Sequence, residues 1–462
     1  MTEAVRLGSS FRDPSGFIFL ADSTIYRQIN ASYADDWSLL GESGLLHELT
    51  SRGLLVAHEP FPLSSAFSDS AIAVIKPEHV PFVSYPYEWS FSQLQDAALT
   101  TLEIQNLSLA RGMTLKDASA YNIQFLRGRP TFIDTLSFES YREGEPWIAY
   151  GQFCRHFLAP LALMALDDVR LGALLRLYLD GIPLDLTAHL LPGSTKLRPG
   201  LLAHIHVHAR AQRGDTRPTA DKKAKPAQVS KNAMLALIDS LEGTVRSLHW
   251  EPNATEWSDY YADTNYTAAA MGDKHRLVAE FIAAADPQNR VCWDLGANTA
   301  EFSKLASEQG FYTIAMDGDG AAVEKAYLSV RETHEASILP LCIDLTNPSP
   351  TLGWANAERD SVIARGPAGL VLSLALVHHL VIGNNVPLPL LAQFFSNIGE
   401  FVICEFVPKH DSQVERLLRS REDIFVDYDE AGFETAMGEH FDMVRSEPVA
   451  GTERRLYLMR KR

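Results

Sequence analysis

The second half of the chain alternates between short, mostly apolar runs and amphipathic stretches. Apolar runs of this length, bounded by polar residues, are typical of buried parallel strands, and apolar residues at helical spacing are typical of the helices that cover such a sheet. The runs lie at 291–295, 312–316, 338–343, 369–374 and 401–406. The pattern therefore predicts an α/β domain with a Rossmann-like, doubly wound sheet.

The stretch from 291 to 302 carries the strongest chemical signal in this half. It runs from a predicted strand through Asp294 to a turn at Gly296 and then into a helical pattern. A glycine in this turn lets the backbone approach a ligand closely, because no Cβ obstructs it. We expect Asn298 or Thr299 to cap the helix, whose N-terminal amides attract anionic groups. The turn has one glycine where the dinucleotide pattern G-x-G-x-x-G has three, so pyrophosphate binding is disfavoured.

Acidic residues stand at the ends of three predicted strands, namely Asp294, Asp317 and Asp344. The carboxyl ends of parallel strands meet at one edge of the sheet, where ligands bind, so we expect these acids to share that edge. Asp317 follows the glycine turn at the distance that suits the hydroxyls of a ribose, since one carboxylate accepts hydrogen bonds from both vicinal hydroxyls. Asp319 is predicted to cap the next helix instead.

The strand, the D-x-G turn and the acids that follow resemble class I S-adenosyl-L-methionine (SAM)-dependent methyltransferases over about residues 255 to 462. The resemblance implies that SAM is the cofactor and that Asp344 contacts its adenine amino group. It also implies that an aromatic segment upstream of the turn closes over SAM and that the last two strands are antiparallel. The implied cofactor-binding residues are Asp294, Gly296, Asn298, Asp317, Asp344, Tyr260 and Tyr266.

Candidate catalytic residues lie at the ends of the fourth and fifth strands of this predicted sheet. Methyl transfer from a sulfonium to an oxygen or nitrogen needs alignment of the reactants and removal of a proton from the acceptor, and no metal. His378 and His379 follow the fourth strand, and imidazole titrates near neutral pH. Glu405, in the fifth strand, is a second candidate base. Which of the two histidines acts, and which packs in the core, stays open at this point.

The first half predicts a separate α+β domain, over residues 1–209. Two β-type runs within 8–30 and further strand and helix patterns lead to a long helix that ends near Gly112. Residues 210–232 are polar, basic and poor in apolar side chains, and they predict a flexible linker before a methyltransferase domain at 233–462.

A motif after this long helix resembles the catalytic region of protein-kinase-like folds. Asp117 and Asn122 match D-x-x-x-x-N, and Asp134 ends the short hairpin that follows. The resemblance implies a base at Asp117 and magnesium ligands at Asn122 and Asp134. Lys116 replaces the usual arginine, Thr-Leu follows Asp134, and no lysine strand is evident unless Arg27 stands in for it. The alternatives are therefore an ATP- and magnesium-dependent phosphotransferase and a non-catalytic module that binds the acceptor or a partner.

Four segments together resemble the nodulation-protein NoeA type of class I methyltransferase over nearly the whole chain. They are Lys116–Phe125, Phe132–Glu139, Ala375–Leu380 and Glu405–Lys409. This resemblance brings little knowledge of the substrate. We expect a small-molecule or glycan-like methyl acceptor, which the sequence does not identify.

Composition narrows the classes of partner and compartment. A formal net charge of −17 disfavours general binding to nucleic acid or anionic membranes. The N-terminus does not read as a signal peptide and no apolar run is long enough to span a membrane. The four cysteines are spread singly through the chain, as expected for reduced core residues in a cytoplasmic protein. The sequence does not indicate an oligomeric state.

Overall fold

The computed structural model of the chain describes residues 4–214, 228–252, 266–419 and 421–462. Two compact units are found: Met1–Glu251 with Gly353–Arg359, and Pro252–Leu352 with Asp360–Arg462. The first boundary thus falls after residue 251 rather than after residue 232. The predicted linker at 210–232 overlaps a helix end and a helix start, and its central part, 215–227, lies outside the described residues.

The first unit begins with an antiparallel sheet and continues into helices and short hairpins, so it is an α+β unit. Its strands are β1 (Val5–Arg6), β2 (Gly16–Ala21), β3 (Thr24–Asn30), β4 (His58–Phe61), β5 (Ala71–Pro77), β6 (Met113–Leu115), β7 (Ile123–Leu126), β8 (Arg129–Phe132) and β9 (Phe138–Ser140). Its helices are α1 (Ala34–Glu42), α2 (Leu45–Ser51), α3 (Phe91–Ala110), α4 (Tyr150–Phe153), α5 (Ala159–Leu166), α6 (Leu184–Leu190), α7 (Pro199–Leu201), α8 (His208–Gly214) and α9 (Lys231–Arg246).

Strand pairing in the first unit sets up the segment that contains Asp117 and Asp134. The sheet order is β1-β2-β3-β5-β4, while β6 pairs with β9 and β7 pairs with β8. Asp117 follows β6, and Asp134 follows β8. Because β6 and β9 are antiparallel neighbours, the chain returns after Asp134 to the strand that precedes Asp117. This pairing brings the two carboxylates toward each other.

A short segment from the second half of the sequence, Gly353–Arg359, belongs to the first unit. Glu358 is almost fully buried there, and its carboxylate accepts a hydrogen bond of 2.9 Å from the Arg12 guanidinium. The guanidinium carbon of Arg359 lies 4.3 Å from the ring centroid of Tyr121. Through these contacts the segment packs against the β1–β2 connection and against Tyr121, which precedes Asn122 in the sequence.

The second unit is built on one mixed sheet with helices on its faces. Its strands are β10 (Val291–Leu295), β11 (Tyr312–Asp317), β12 (Ile338–Cys342), β13 (Ala368–Ser373), β14 (Gly399–Phe406), β15 (Phe441–Pro448) and β16 (Arg455–Lys461). Its helices are α10 (Ala268–Ala284), α11 (Glu301–Glu308), α12 (Gly320–Thr333), α13 (Leu388–Ile398), α14 (Ser412–Leu418) and α15 (Glu430–Gly438).

The sheet order is β12-β11-β10-β13-β14-β16-β15. Strands β10 to β14 are mutually parallel, and β16 and β15 complete the sheet as an antiparallel pair. Adjacent residues of β10, Cys292 and Trp293, are both buried, as expected for a strand covered on both faces. The predicted Rossmann-like, doubly wound sheet with its terminal antiparallel pair is therefore confirmed.

The order of the strands reverses between β10 and β13, and this reversal positions the site. The chain leaves β10 toward one side of the sheet and enters β13 on the other side, which opens a crevice at the carboxyl ends of both strands. Gly296 follows β10, and Ala375–Leu380 follows β13.

Among the described residues, no helix is long and apolar enough to cross a membrane.

Candidate active site

The turn after β10 requires its glycine. Gly296 has a φ of +70°, and its N–H and that of Ala297 both donate to the carbonyl oxygen of Met316, at 2.8 and 3.0 Å. A Cβ added to Gly296 would lie 3.2 Å from Cδ1 of Leu376, which follows β13. A side chain at this position would therefore be strained and would reach across the crevice toward the next loop.

The loop after Gly296 differs from the predicted helix cap. Asn298 and Ala300 have positive φ angles, and α11 starts after Ala300 without a capping side chain. The side-chain oxygen of Asn298 accepts from the N–H of Thr299 at 2.9 Å, and the N–H of Asn298 donates to Asp317 at 2.8 Å. The expectation that Asn298 or Thr299 caps the helix was wrong, because Asn298 instead links the turn to the end of β11.

Asp294 is buried at the carboxyl end of β10. Its Oδ2 accepts a hydrogen bond of 2.6 Å from the hydroxyl of Ser303 in α11. Burial raises the pKa of Asp294 to about 6, and the neighbouring Asp317 adds to the rise, while Ser303 and the charge of Lys274 oppose it. The carboxyl group is therefore poised to change charge close to neutral pH.

Asp317 and Asp344 end the next two strands of the sheet. Oδ2 of Asp317 accepts from the N–H of Asn298, and Oδ1 accepts from the N–H of Asp319, both at 2.8 Å. Burial raises the pKa of Asp317, and these backbone hydrogen bonds oppose the rise. Asp344 is exposed, and its Oδ1 accepts from the N–H and the hydroxyl of Thr346 at 2.8 and 2.6 Å. Asp319 caps α12 through the N–H of Ala321, as predicted.

At the end of β14 lies a group that we call the buried ion-pair cluster, formed by Tyr266, Lys274, Glu405, Asp411 and Arg454. Glu405 has no exposed surface. Its Oε2 lies 2.6 Å from the Lys274 ammonium, and its Oε1 accepts from the Tyr266 hydroxyl. Burial alone would raise the pKa of Glu405, but the charges of Lys274 and Arg454 outweigh it and hold the pKa below its usual range. Glu405 is thus an ionised carboxylate in contact with a cation.

Arg454 connects this cluster to a small cavity. Its guanidinium lies 3.7 Å from Glu405, pairs with Asp411 at 2.7 Å and donates to the Tyr266 oxygen at 2.9 Å. A cavity of about 180 Å³ opens beside it, lined by Tyr266, Asp411, Gly451, Thr452, Glu453 and Arg454. Because β16 is antiparallel to β14, Arg454 sits at the same sheet edge as the carboxyl end of β14. The cavity therefore opens at the edge where the acids lie.

The sequence prediction missed Lys274, Asp411 and Arg454. A lysine in an amphipathic helix is usually solvated, yet Lys274 precedes Leu277, Val278 and Phe281 by three, four and seven residues. This spacing places it on the buried face of α10, and it is 3% exposed. The helical spacing alone could therefore have predicted that Lys274 is buried. No comparable pattern marks Arg454, whose partners Asp411 and Glu405 lie far from it in the sequence.

The two histidines occupy different environments. His378 has no exposed surface, and neither of its ring nitrogens has a hydrogen-bond partner among the described residues. Burial lowers its pKa well below the usual value, and the nearby His379, Arg454 and Lys274 lower it further. His379 is half-buried, and the centroid of its ring lies 4.1 Å from that of His378. The structure therefore distinguishes a buried, neutral, unpartnered imidazole from a more exposed one.

Most of the predicted SAM-site residues meet at one edge of the second unit. Asn298 is hydrogen-bonded to Asp317, while Asp294 and Gly296 lie at the end of β10 and in the turn that follows it. Asp344 follows the adjacent strand β12. The hydroxyl of Tyr266 is drawn into the buried ion-pair cluster. Tyr260 lies outside the described residues.

The kinase-like motif of the first unit also comes together. Asp134 contacts the Arg27 guanidinium and the Ser137 hydroxyl. Oδ1 of Asp117 accepts from the N–H of Ser119 at 2.9 Å and from Gln152 at 2.8 Å. Burial raises the pKa of Asp117, Asp134 raises it further, and a hydrogen bond from Asn122 opposes the rise. Arg27, the residue that could stand in for the kinase lysine, lies in β3 and faces Asp134.

Both carboxylates of the motif are engaged by protein donors. Within the described ranges, no group of three or more histidine, cysteine or acidic side chains is arranged to hold a metal ion.

Comparison with solved structures gives matches to parts of the chain. The magnesium protoporphyrin IX methyltransferase ChlM from Synechocystis PCC 6803, with bound SAH, is 18% identical, with a TM-score of 0.32, and the match covers 45% of this chain and 92% of that one. The N-methyltransferase NodS from Bradyrhizobium japonicum WM9, with SAH, is 11% identical, with a TM-score of 0.33, over 45% and 93% of the two chains. The bifunctional kinase-methyltransferase WbdD is 14% identical, with a TM-score of 0.31, over 47% and 45%.

Sequence comparison covers nearly the whole chain. No family model matches it. Nodulation protein NoeA from Rhizobium meliloti (strain 1021) is 36% identical over 461 residues, which span 98% of this chain and 95% of that protein. The expected resemblance to the NoeA type is thereby confirmed, and the chain belongs to the nodulation protein NoeA family.

Proposed function

We propose that the second unit binds SAM and transfers its methyl group to an oxygen or nitrogen of an acceptor molecule. The observation that carries the proposal is the glycine turn at the strand reversal, flanked by the acids that end β10, β11 and β12. Ligands of doubly wound sheets bind in this crevice. Gly296 keeps it open, because any side chain there would contact Leu376. The residues present therefore fit SAM.

In this proposal the acids bind the polar groups of the nucleoside. Asp317 binds the ribose hydroxyls. An ionised carboxylate has about four acceptor positions, so the two backbone N–H groups that Asp317 already binds leave room for both hydroxyls. Asp344 accepts from the adenine amino group. Asp294 and the backbone around Asn298 bind the methionine end, and Tyr266 flanks it.

His378 is the proposed base, and Glu405 is a positioning residue. A neutral imidazole has one unprotonated nitrogen, and in His378 that nitrogen has no partner among the described residues. Both carboxylate oxygens of Glu405 are engaged, by Lys274 and Tyr266. Glu405 therefore holds these side chains in place rather than accepting a proton. His379 is the second candidate base.

Photochemical cross-linking with methyl-labelled SAM tests the proposal directly. We expect label in peptides that contain residues 291–302, protected by an excess of unlabelled SAH. Label confined to the first unit, or labelling that SAH does not suppress, would contradict a SAM site in the second unit.

A second candidate function concerns the first unit. The approach of Asp117, Asn122 and Asp134 supports ATP- and magnesium-dependent phosphotransfer, whereas the pairing of Asp134 with Arg27 favours a non-catalytic module that binds the acceptor or a partner. Incubation with γ-labelled ATP and magnesium separates the two. Labelling that Asp134→Ala abolishes would support phosphotransfer, and the absence of labelling in the wild type would favour the binding module.

The methyl acceptor of the second unit is proposed to be a small molecule or a glycan-like molecule.

A further inference from the structure

The cavity beside Arg454 is built from segments that the proposed SAM site does not use. The turn between β15 and β16 supplies Gly451, Thr452 and Glu453 to its wall, and Asp411 comes from the segment after β14. Pockets that enclose a whole drug-sized molecule measure about 300–1,000 Å³. This cavity measures about 180 Å³, so it has room for one ring-sized group of a larger ligand.

One buried cation connects the wall of this cavity to the glycine turn of the proposed SAM site. The Lys274 ammonium lies 5.0 Å from the ring centroid of Tyr266, which lines the cavity. The same ammonium lies 4.8 Å from the ring centroid of Phe302, in the first turn of α11. Because α11 follows the loop after Gly296, a single side chain spans the distance from the cavity wall to the helix that leaves the proposed SAM site.

The polar groups of the cavity wall keep both acceptor and donor positions for a ligand. The Asp411 carboxylate has about four acceptor positions, of which three are taken by the N–H of Gln413 and by two N–H groups of Arg454. The Arg454 guanidinium directs two N–H groups to Asp411 and one to the Tyr266 oxygen, which leaves others to donate to a ligand. Glu453 adds an exposed carboxylate to the wall.

The two kinds of position lie side by side. Nε of Arg454 is 2.7 Å from Oδ2 of Asp411, so donor and acceptor positions adjoin at the cavity wall. A carboxylate ligand offers acceptors alone, and an ammonium offers donors alone. A hydroxyl group offers both, and two hydroxyls on adjacent carbons can meet Asp411 and Arg454 together. A ring with neighbouring hydroxyls therefore matches this wall better than either kind of ion does.

We propose that this cavity is a subsite for the methyl acceptor and that it takes a ring with neighbouring hydroxyl groups, as in a sugar. One hydroxyl donates to Asp411, and the oxygen of its neighbour accepts from Arg454. The proposal rests on the function proposed above and deepens it, since that function alone leaves open where the acceptor binds and which groups it presents.

Saturation-transfer NMR on the full-length protein, with SAH at a saturating concentration, tests the proposal. The probes are myo-inositol, glucose and cyclohexanol, which share the size of their ring and differ in their number of hydroxyl groups. We expect saturable binding of inositol or glucose with a Kd of about 1–10 mM, and at least about tenfold weaker binding of cyclohexanol. Absence of binding by both polyols, or equal binding of cyclohexanol, would overturn the proposal. Failure of the protein to bind SAH would instead overturn the proposed function.

Two threonine-to-tryptophan variants locate the bound polyol. Thr452→Trp fills the cavity, whereas Thr333→Trp places the same side chain at the exposed end of α12, which packs against the edge strand β12. The β15–β16 turn lies at the other edge of the sheet. We expect Thr452→Trp to weaken polyol binding at least about tenfold and Thr333→Trp to change it less than about twofold. SAH affinity should stay within about threefold of the wild type in both, which shows that they are folded.

Glu453→Ala provides a second test that does not disturb the buried part of the wall. It removes one exposed acceptor, so we expect polyol binding to weaken at least about threefold while SAH affinity is unchanged. Wild-type polyol affinity in both Thr452→Trp and Glu453→Ala would place the polyol elsewhere and overturn the proposal.

Discussion

The ammonium nitrogen of Lys274 lies 2.6 Å from Oε2 of Glu405, and the two side chains are 4% and 0% exposed. A buried charge is tolerated only when it is paired and hydrogen-bonded. Here the pair joins α10 to the carboxyl end of β14, next to the crevice proposed for SAM. The pairing accounts for how an acid at the end of a buried strand is retained in its charged form.

The contributions of Lys274 and Glu405 to the free energy of unfolding should depend strongly on each other. Lys274→Met or Glu405→Gln alone should lower the free energy of unfolding by about 3–5 kcal/mol, because each leaves one buried charge unpaired. The double variant should lose less than the sum of the single losses. Urea unfolding of the four proteins measures the coupling, and additive losses would show that the two groups do not interact.

Gly296 should be essential for SAM binding. Gly296→Ala forces a side chain into a φ of +70° and toward Leu376, so we expect SAM affinity to fall at least about tenfold. Gly310→Ala is the matched control, because Gly310 has a φ of +83° and open space around it. Both variants should lose about 1–2 kcal/mol of stability from backbone strain. Similar SAM affinities in the two variants would contradict the proposed role of the turn.

Asp317 and Asp319 should behave differently although they lie two residues apart. In the proposed SAM site, Asp317→Asn removes the charge that would accept hydrogen bonds from the ribose hydroxyls. Hydrogen bonds to charged groups contribute about 1.5–3 kcal/mol, so SAM affinity should fall about 10- to 100-fold. Asp319→Asn keeps a good helix-capping residue and should bind SAM nearly as the wild type does. Calorimetry measures both affinities, and the assignment fails if Asp319→Asn causes the larger loss.

Asp294 should make stability depend on pH. Its pKa of about 6 in the folded protein lies above its ordinary value, so the folded state holds the proton more tightly than the unfolded state does. Its stabilising contribution is present below about pH 4 and is lost as the pH rises through about 6, a change of about 3 kcal/mol. The stability difference between wild type and Asp294→Asn should therefore shift by this amount between about pH 4 and 7. A constant difference would place the pKa of Asp294 at its ordinary value.

In the first unit, Arg27 should matter for folding. Its side chain and that of Asp134 are 11% and 20% exposed, so Arg27→Ala leaves a largely buried carboxylate without its cation. We expect a loss of about 2 kcal/mol or more. Arg127→Ala, which breaks a contact with Glu78 at the surface, should change stability by about 0–1 kcal/mol. The comparison uses thermal unfolding, and equal effects of the two substitutions would contradict the argument.

Much of the second unit was predictable because its signals are local. Apolar runs such as Ile338–Cys342, and acids directly after them, fix strands and strand ends from sequence alone. Side chains buried by distant partners were not predictable in this way. Arg454 is drawn inside by Asp411 and Glu405, which lie 43 and 49 residues earlier in the sequence. Asn298 was expected to cap a helix, but it bonds to Asp317 from the neighbouring strand.

Local sequence patterns also did not predict the boundary between the two units. Helix α9, Lys231–Arg246, is amphipathic and would suit either unit. It belongs to the first, where Gln95 of α3 donates to the carbonyl oxygens of Val245 and Leu248. Packing against α3 and other distant parts of the first unit, such as His204 against Ser240, decides this assignment.

Calorimetric titration of the purified protein, first with SAM and then with ATP and magnesium, determines which of the two units holds the active site. We expect saturable binding of one SAM per chain, weakened at least about tenfold in Gly296→Ala. Binding of ATP and magnesium without binding of SAM would contradict it and would place the active site at Asp117, Asn122 and Asp134.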